Sequence, residues 1–107
     1  LYPFEEMFEE MNQRDLDFWG ITKHHKVDYD SFGTCKYGYI PEHIQSSFLV
    51  LRRTLIESKE YQNFWKNMPN INSYADSVGY YEAIFTKDFV ELGFKESVYI
   101  NTEDLIY

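Results

Sequence analysis

Residues 42–53, EHIQSSFLVLRR, lead from short hydrogen-bonding side chains into four apolar residues and end on two arginines. His43, Gln45, Ser46 and Ser47 carry the donors and acceptors that recognise sugar hydroxyls. A surface loop leading into a strand has the same composition, so both readings stand at this point. Glu82 is the acid best placed for proton transfer. Phe85 and Phe89 follow it by three and seven residues, and a helix through this segment sets the carboxylate at the edge of an apolar stripe. Such a carboxylate can act as a general base. A first-turn glutamate favoured by the helix dipole is the simpler alternative.

Other reactive side chains form no recognisable constellation. His24, His25, Cys35 and His43, with Asp28 and Asp30 nearby, match no zinc spacing, because adjacent histidines do not readily face one ion and there is no Cys-x-x-Cys pair. No metal site is assigned to them. Cys35 has no activating signature around it, and no glycine-rich loop is present to cradle a phosphate. Phe18-Trp19 and Phe64-Trp65 could stack on a ring. Their spacing points to the core for Phe64-Trp65, whereas Trp19 remains a candidate sugar contact.

These side chains need elements to hold them. Phe4, Met7, Phe8 and Met11 recur at helical spacing after Pro3, which predicts an amphipathic helix over 3–13. The aromatic and β-branched segment 17–22 predicts a strand. Residues 23–41 hold no sustained period and are punctuated by Gly33, Gly38 and Pro41, the pattern of a long functional loop. Residues 44–52 predict a second strand, whose apolar run 48–51 implies a sheet covered on both faces. Thr54 and Glu57 suggest a capping box, and Ser58 a further cap, for a helix that ends at Pro69. Val78, Tyr81, Phe85, Phe89 and Leu92 predict a helix over 78–92 with Gly93 as its C′ residue. Residues 98–100 predict a last short strand. The order α, β, loop, β, α, α, β implies an α/β fold with a mixed sheet and covering helices.

Composition limits the partners. Eighteen acidic against ten basic residues give a formal charge of −8 in a chain of 107, and the longest basic cluster is Arg52-Arg53, so nucleic acid is not an expected partner. No apolar run approaches the roughly 20 residues of a membrane span. A lone cysteine permits no internal disulfide. The chain opens on Leu1, and residues 1–107 are expected to be a single domain or a fragment of a longer protein.

Four blocks carry a resemblance: DFWGITKHH, HIQSSFLVLRRTLIES, FWKNMP and YEAIFTKDFVELGFKESVYINTEDL. Together they resemble the bacterial rhamnan synthesis protein F family of glycosyltransferases over nearly the whole chain. The resemblance implies part of a GT-A-like domain, similar to its carboxyl-terminal, acceptor-side half. It implies transfer of a sugar, rhamnosyl, from a nucleotide diphosphate donor to a cell-wall polysaccharide or lipopolysaccharide glycan, on the cytoplasmic face of the cell membrane. In inverting GT-A enzymes an acidic pair precedes a glycine by about a dozen residues, and its second acid is the base. Glu82 stands eleven residues before Gly93, with Tyr81 in the first position of the pair.

By the same resemblance strand 44–52 is the antiparallel strand of the sheet, and its polar amino end, His43, Gln45 and Ser46, opens on the acceptor crevice. Such enzymes hold a divalent metal (Mg or Mn) on the donor diphosphate. Asp28-Tyr29-Asp30 has the spacing of that motif but lies in a loop, so the metal ligands are expected outside this chain and the chain alone is expected to be inactive. Half a sheet exposes an edge, and a homodimer through it is expected. The alternative is a non-catalytic carbohydrate- or protein-binding module working through loop 23–41, with Trp19 or Tyr37 as the stacking ring.

Overall fold

In the computed structural model, which describes residues 4–100, the three residues Phe18-Trp19-Gly20 form the central strand of the molecule. This strand, β1 (Phe18–Gly20), is flanked by β4 (Leu49–Leu51), which runs antiparallel to it, and by β5 (Glu96–Val98), which runs parallel. The sheet is therefore mixed, and strand 49–51 has the antiparallel sense expected of it. Side chains alternate across a pleated strand, and here both faces are covered. Phe18, Leu49, Leu51 and Val98 pack with Leu55, Phe85 and Phe89. Trp19, Val50 and Tyr99 pack on the other side with Met7 and Met11 of α1 (Phe4–Asn12).

The strand ends are tied through one residue. The Asp17 carboxylate accepts from the Lys95 backbone N–H at 2.7 Å and from Thr54 Oγ1 at 2.5 Å, and its carbonyl accepts from the Arg52 N–H at 2.9 Å. Arg52 then turns its guanidinium onto the carbonyls of Met11, Arg14 and Leu16. α1 has no basic residue in its own last turn, so Arg52 supplies the cation that its carbonyl end favours.

Several elements differ from their sequence expectation. Strand 44–52 is two strands. β3 (His43–Ile44) pairs with β2 (Lys23–His24) in a separate two-stranded sheet, and residues 45–48 turn the chain before β4 begins. The break falls where polar Gln45, Ser46 and Ser47 have no reason to continue a buried ladder. Helix 54–68 is also two: α2 (Arg53–Ile56) follows an uncapped Arg52, and α3 (Lys59–Lys66) starts at Ser58, whose hydroxyl accepts from the Tyr61 N–H. The cap at Ser58 is as expected, but Thr54 serves Asp17 rather than a capping box.

Helix 78–92 is likewise interrupted. α4 (Tyr74–Ser77) runs into a π turn (Val78–Glu82), where Ala83 N–H reaches the Val78 carbonyl at 2.8 Å, before α5 (Phe85–Glu91). α5 ends as expected on Gly93 at φ 97°, where the Phe94 N–H bonds Phe89 O and the Gly93 N–H bonds Val90 O. The last strand is set two residues earlier than expected, although Tyr99 and Ile100 continue its bonds to β1 and Ile21. The expected helix start at Pro3 lies outside the described residues.

Gly20 positions the functional part of the chain. A Cβ at Gly20 would lie 2.1 Å from Ile44 Cγ2 and 2.9 Å from the Phe48 carbonyl oxygen. Only a bare backbone lets segment 44–48 close on β1. Gly20→Ala is expected to lower the unfolding free energy by roughly 1–3 kcal/mol or more through overpacking, seen as a lower urea midpoint. An unchanged midpoint would mean that segment 44–48 withdraws without cost.

Candidate functional site

Residues 23–41, expected to be a long functional loop, belong to a long hairpin excursion that runs from Lys23 to Ile44. Lys23 pairs with Ile44 and His24 with His43, and Val27 and Ile40 exchange both backbone bonds further out. Its tip is bolted to the helical side of the molecule. Asp30 is buried and its carboxylate accepts from the backbone N–H groups of Phe32 and Cys35 at 3.0 and 2.8 Å. Thr34 Oγ1 donates to the Ala75 carbonyl at 2.6 Å, and it passes so close to Gly79 that a Cβ there would lie 2.0 Å away. Tyr37 Oη and Lys36 Nζ both bond the Asp88 carboxylate. Burial, and then the Asp88 charge, push the Tyr37 phenol well above its ordinary value, so it remains a proton donor to that carboxylate.

Between this excursion, the 45–47 turn and the π turn lies a cavity of about 390 Å³. That is within the ordinary range of small-ligand sites. Val27, Ile40 and Val78 give it an apolar floor, while His43, Gln45, Ser46, Ser47 and Glu82 give it polar groups. At its centre Ser46 Oγ donates to Glu82 Oε1 at 2.8 Å. Glu82 Oε2 has no hydrogen-bond partner among the described residues, so that lone pair faces no internal competitor. The π turn matters here. One extra residue in the turn lets Gly79 sit beneath Thr34 while Glu82, at its far end, meets Ser46. Interruptions of this kind are common at functional sites.

The neighbours of Ser46 are held from below. The Ile44 N–H donates to buried Thr86 Oγ1 at 3.0 Å, the Gln45 N–H bonds the Thr22 carbonyl, and Thr22 Oγ1 donates to Gln45 Oε1 at 2.9 Å. The Gln45 amide nitrogen is left to donate outward. The His43 ring is half-buried and its Nδ1–H donates to the Pro41 carbonyl at 2.8 Å, which fixes the neutral tautomer with a lone pair on Nε2. It stacks on His24 with ring centroids 5.3 Å apart. Burial above all, and the neighbouring His24, push the His43 pKa below its ordinary value against the opposing pull of Pro41 and Glu82.

Four of the five expected site residues, Glu82, His43, Gln45 and Ser46, thus line one cavity. Trp19 does not. It is fully buried against α1, in edge contact with Phe8, and it cannot stack on a ligand; its place on the central strand of a covered sheet makes it core. The first-turn, helix-dipole reading of Glu82 also fails, since Glu82 closes the π turn instead of opening a helix. Missed from the sequence were the rim rings Tyr29, Phe32 and Tyr74, which join this cavity from distant parts of the chain. Exposed aromatics in a long loop were the only available signal for Tyr29 and Phe32.

No lysine or arginine lies among the described residues that line the cavity. In Asp28-Tyr29-Asp30 the Asp30 carboxylate is engaged by two backbone N–H groups, and exposed Asp28 pairs with Lys26. Among the described residues no cluster of three or more His, Cys, Asp or Glu side chains could hold a metal ion, and none of their helices is long and apolar enough to cross a membrane.

The chain is thus a mixed, doubly covered α/β sheet carrying a cleft of carboxylate, hydroxyl and imidazole groups. The chain belongs to the rhamnan synthesis protein F family, whose profile matches residues 1–106. That membership assigns it to rhamnan and polysaccharide synthesis. No curated protein and no solved structure matches the chain.

A His43 kept neutral by burial has a pH signature. Below its ordinary pKa of about 6.5 the unfolded chain takes up a proton that folded His43 resists, so stability falls as pH drops through that value and levels off below the folded pKa. The urea midpoint is therefore expected to decline as pH falls below about 6.5, and to decline less in His43→Asn, which keeps an N–H for the Pro41 carbonyl but does not titrate. Equal slopes in the two proteins would exclude His43 as the cause.

Proposed function

We propose that this chain is the acceptor-side part of a GT-A-like glycosyltransferase domain, with Glu82 as the general base. The parent reaction is transfer of a sugar, rhamnosyl, from a nucleotide diphosphate donor to a growing polysaccharide or lipopolysaccharide glycan at the cytoplasmic membrane face. The observation that carries this reading is the Ser46–Glu82 contact inside a cavity rimmed by hydrogen-bonding groups. Family membership supplies the sugar chemistry.

Ser46 holds one carboxylate oxygen in place and leaves the other to accept the proton of an acceptor hydroxyl. As that hydroxyl oxygen bonds the anomeric carbon of the donor, the bond from that carbon to the diphosphate breaks and the diphosphate leaves with the electron pair. Gln45 and His43 orient the acceptor by donating and accepting hydrogen bonds. Among the described residues the cavity offers two carboxylates and no lysine or arginine, which suits a neutral glycan and repels a diphosphate. The residues that would hold the donor diphosphate and its divalent metal then lie outside this chain.

A binding module without catalysis is the second reading, favoured by the exposed aromatic rings at the cavity rim. Turnover separates the two. In the full-length protein Glu82→Gln is expected to lower kcat by roughly 10²–10⁴-fold, and Ser46→Ala by less, because it misorients the base without removing it. Near-normal turnover in a folded Glu82→Gln protein would remove Glu82 from this role.

A further inference from the structure

The least explained feature of the cavity is its rim. Tyr29 and Tyr74 are 73% and 71% exposed and Phe32 is 47% exposed, yet all three converge on the same opening. Phe32 and Tyr74 meet edge to face, with centroids 5.6 Å apart and planes at 83°, and so form a corner of two aromatic walls. This corner is built rather than accidental. Phe32 is placed by its own N–H, donated to buried Asp30. Tyr74 opens α4, whose first turn is capped by Ser73 accepting from the Asp76 N–H at 3.1 Å. Large apolar rings left in water, fixed in position beside polar lining groups, are the arrangement of a ligand site whose ordering cost is met in folding.

We propose that Tyr74 and Phe32, with Tyr29 beside them, form a stacking subsite for a second sugar ring of the acceptor glycan, next to the ring whose hydroxyl meets Glu82. The inference rests on the acceptor-side reading above. Three observations choose the occupant. The aromatic walls match the C–H faces of a pyranose, which pack on π-surfaces through dispersion and weak C–H contacts. The polar lining of Gln45, Ser46 and Ser47 matches its hydroxyl edge. A nucleotide base would also stack, but it brings phosphates beside Glu82 and Asp30 where no lining lysine or arginine balances them. The subsite therefore makes the site selective for an extended glycan over a single sugar.

The test uses the full-length protein with two acceptor probes, methyl rhamnoside and a rhamnose tetrasaccharide. The preference for the tetrasaccharide, as the ratio of the two kcat/KM values, is expected to fall roughly 5–20-fold in Tyr74→Ala, equivalent to about 1–2 kcal/mol. Tyr74→Leu, which keeps bulk without a flat face, serves as the variant least disposed to unfold and is expected to lose most of the same preference. Calorimetric titration with the tetrasaccharide is expected to weaken in parallel.

A ratio within about twofold of wild type in both variants would overturn the subsite, as would a wild-type protein with no measurable tetrasaccharide affinity. Glu82→Gln in the same assays keeps the two ideas apart. If it retains full kcat while Tyr74→Ala still weakens tetrasaccharide binding, the subsite stands and the base assignment falls. If it abolishes turnover while the Tyr74 variants behave as wild type, the subsite alone fails.

Discussion

The site depends on a missing side chain. At Gly20 the central strand presents bare backbone, and Ile44 and Phe48 occupy the space that a Cβ would need. That approach sets where segment 43–48 crosses the sheet, and hence where Ser46 stands. Every neighbouring contact reinforces it: Thr86 holds the Ile44 N–H, Thr22 holds Gln45, and Phe48 packs its ring against Trp19 at 5.9 Å. Because interiors are close-packed, a shift of even one methyl at Gly20 is transmitted to the cavity wall and is not absorbed locally.

A second close approach completes the cleft from the opposite side. Thr34 sits on Gly79, and the Asp88 pair with Lys36 and Tyr37 holds the far side of the same excursion to α5. The excursion thus spans from the two-stranded sheet to the helices and roofs the cavity between them. Asp88 is well shielded by this arrangement while Lys36 remains mostly exposed, so the geometry of the contact owes more to the half-buried Tyr37 phenol than to the exposed ion pair. The π turn reconciles the two requirements on residues 78–82. It keeps Gly79 flat beneath Thr34 and still delivers Glu82 to Ser46.

The electrostatic character of the cleft follows from which charges are already engaged. Asp30 is consumed by backbone N–H groups, His43 is locked by Pro41, and Glu82 keeps one oxygen unpaired among the described residues. The lysines of the excursion that borders the cleft are paired, Lys26 with Asp28 and Lys36 with Asp88. What remains among the described residues is a polar cleft with one available base and no lining lysine or arginine, consistent with membership of a polysaccharide-synthesis family.

The sequence by itself determined the elements whose period is long or whose punctuation is strict. The apolar stripe of α1, the cap at Ser58, the Gly93 stop and the doubly buried sheet were all legible, because each is fixed by residues within a few positions of one another. Family membership was legible too, from four contiguous blocks. Glu82, His43, Gln45 and Ser46 could be picked out as chemistry-bearing residues, but not as partners, since 36 positions separate Ser46 from Glu82. Only tertiary packing decided that strand 44–52 breaks at Gln45, that Trp19 lies in the core, that a π turn interrupts the last long helix, and that Tyr29, Phe32 and Tyr74 share one rim. Each of those outcomes comes from contacts between segments distant in sequence, above all at Gly20 and Gly79, where the deciding atom is a Cβ that is not there.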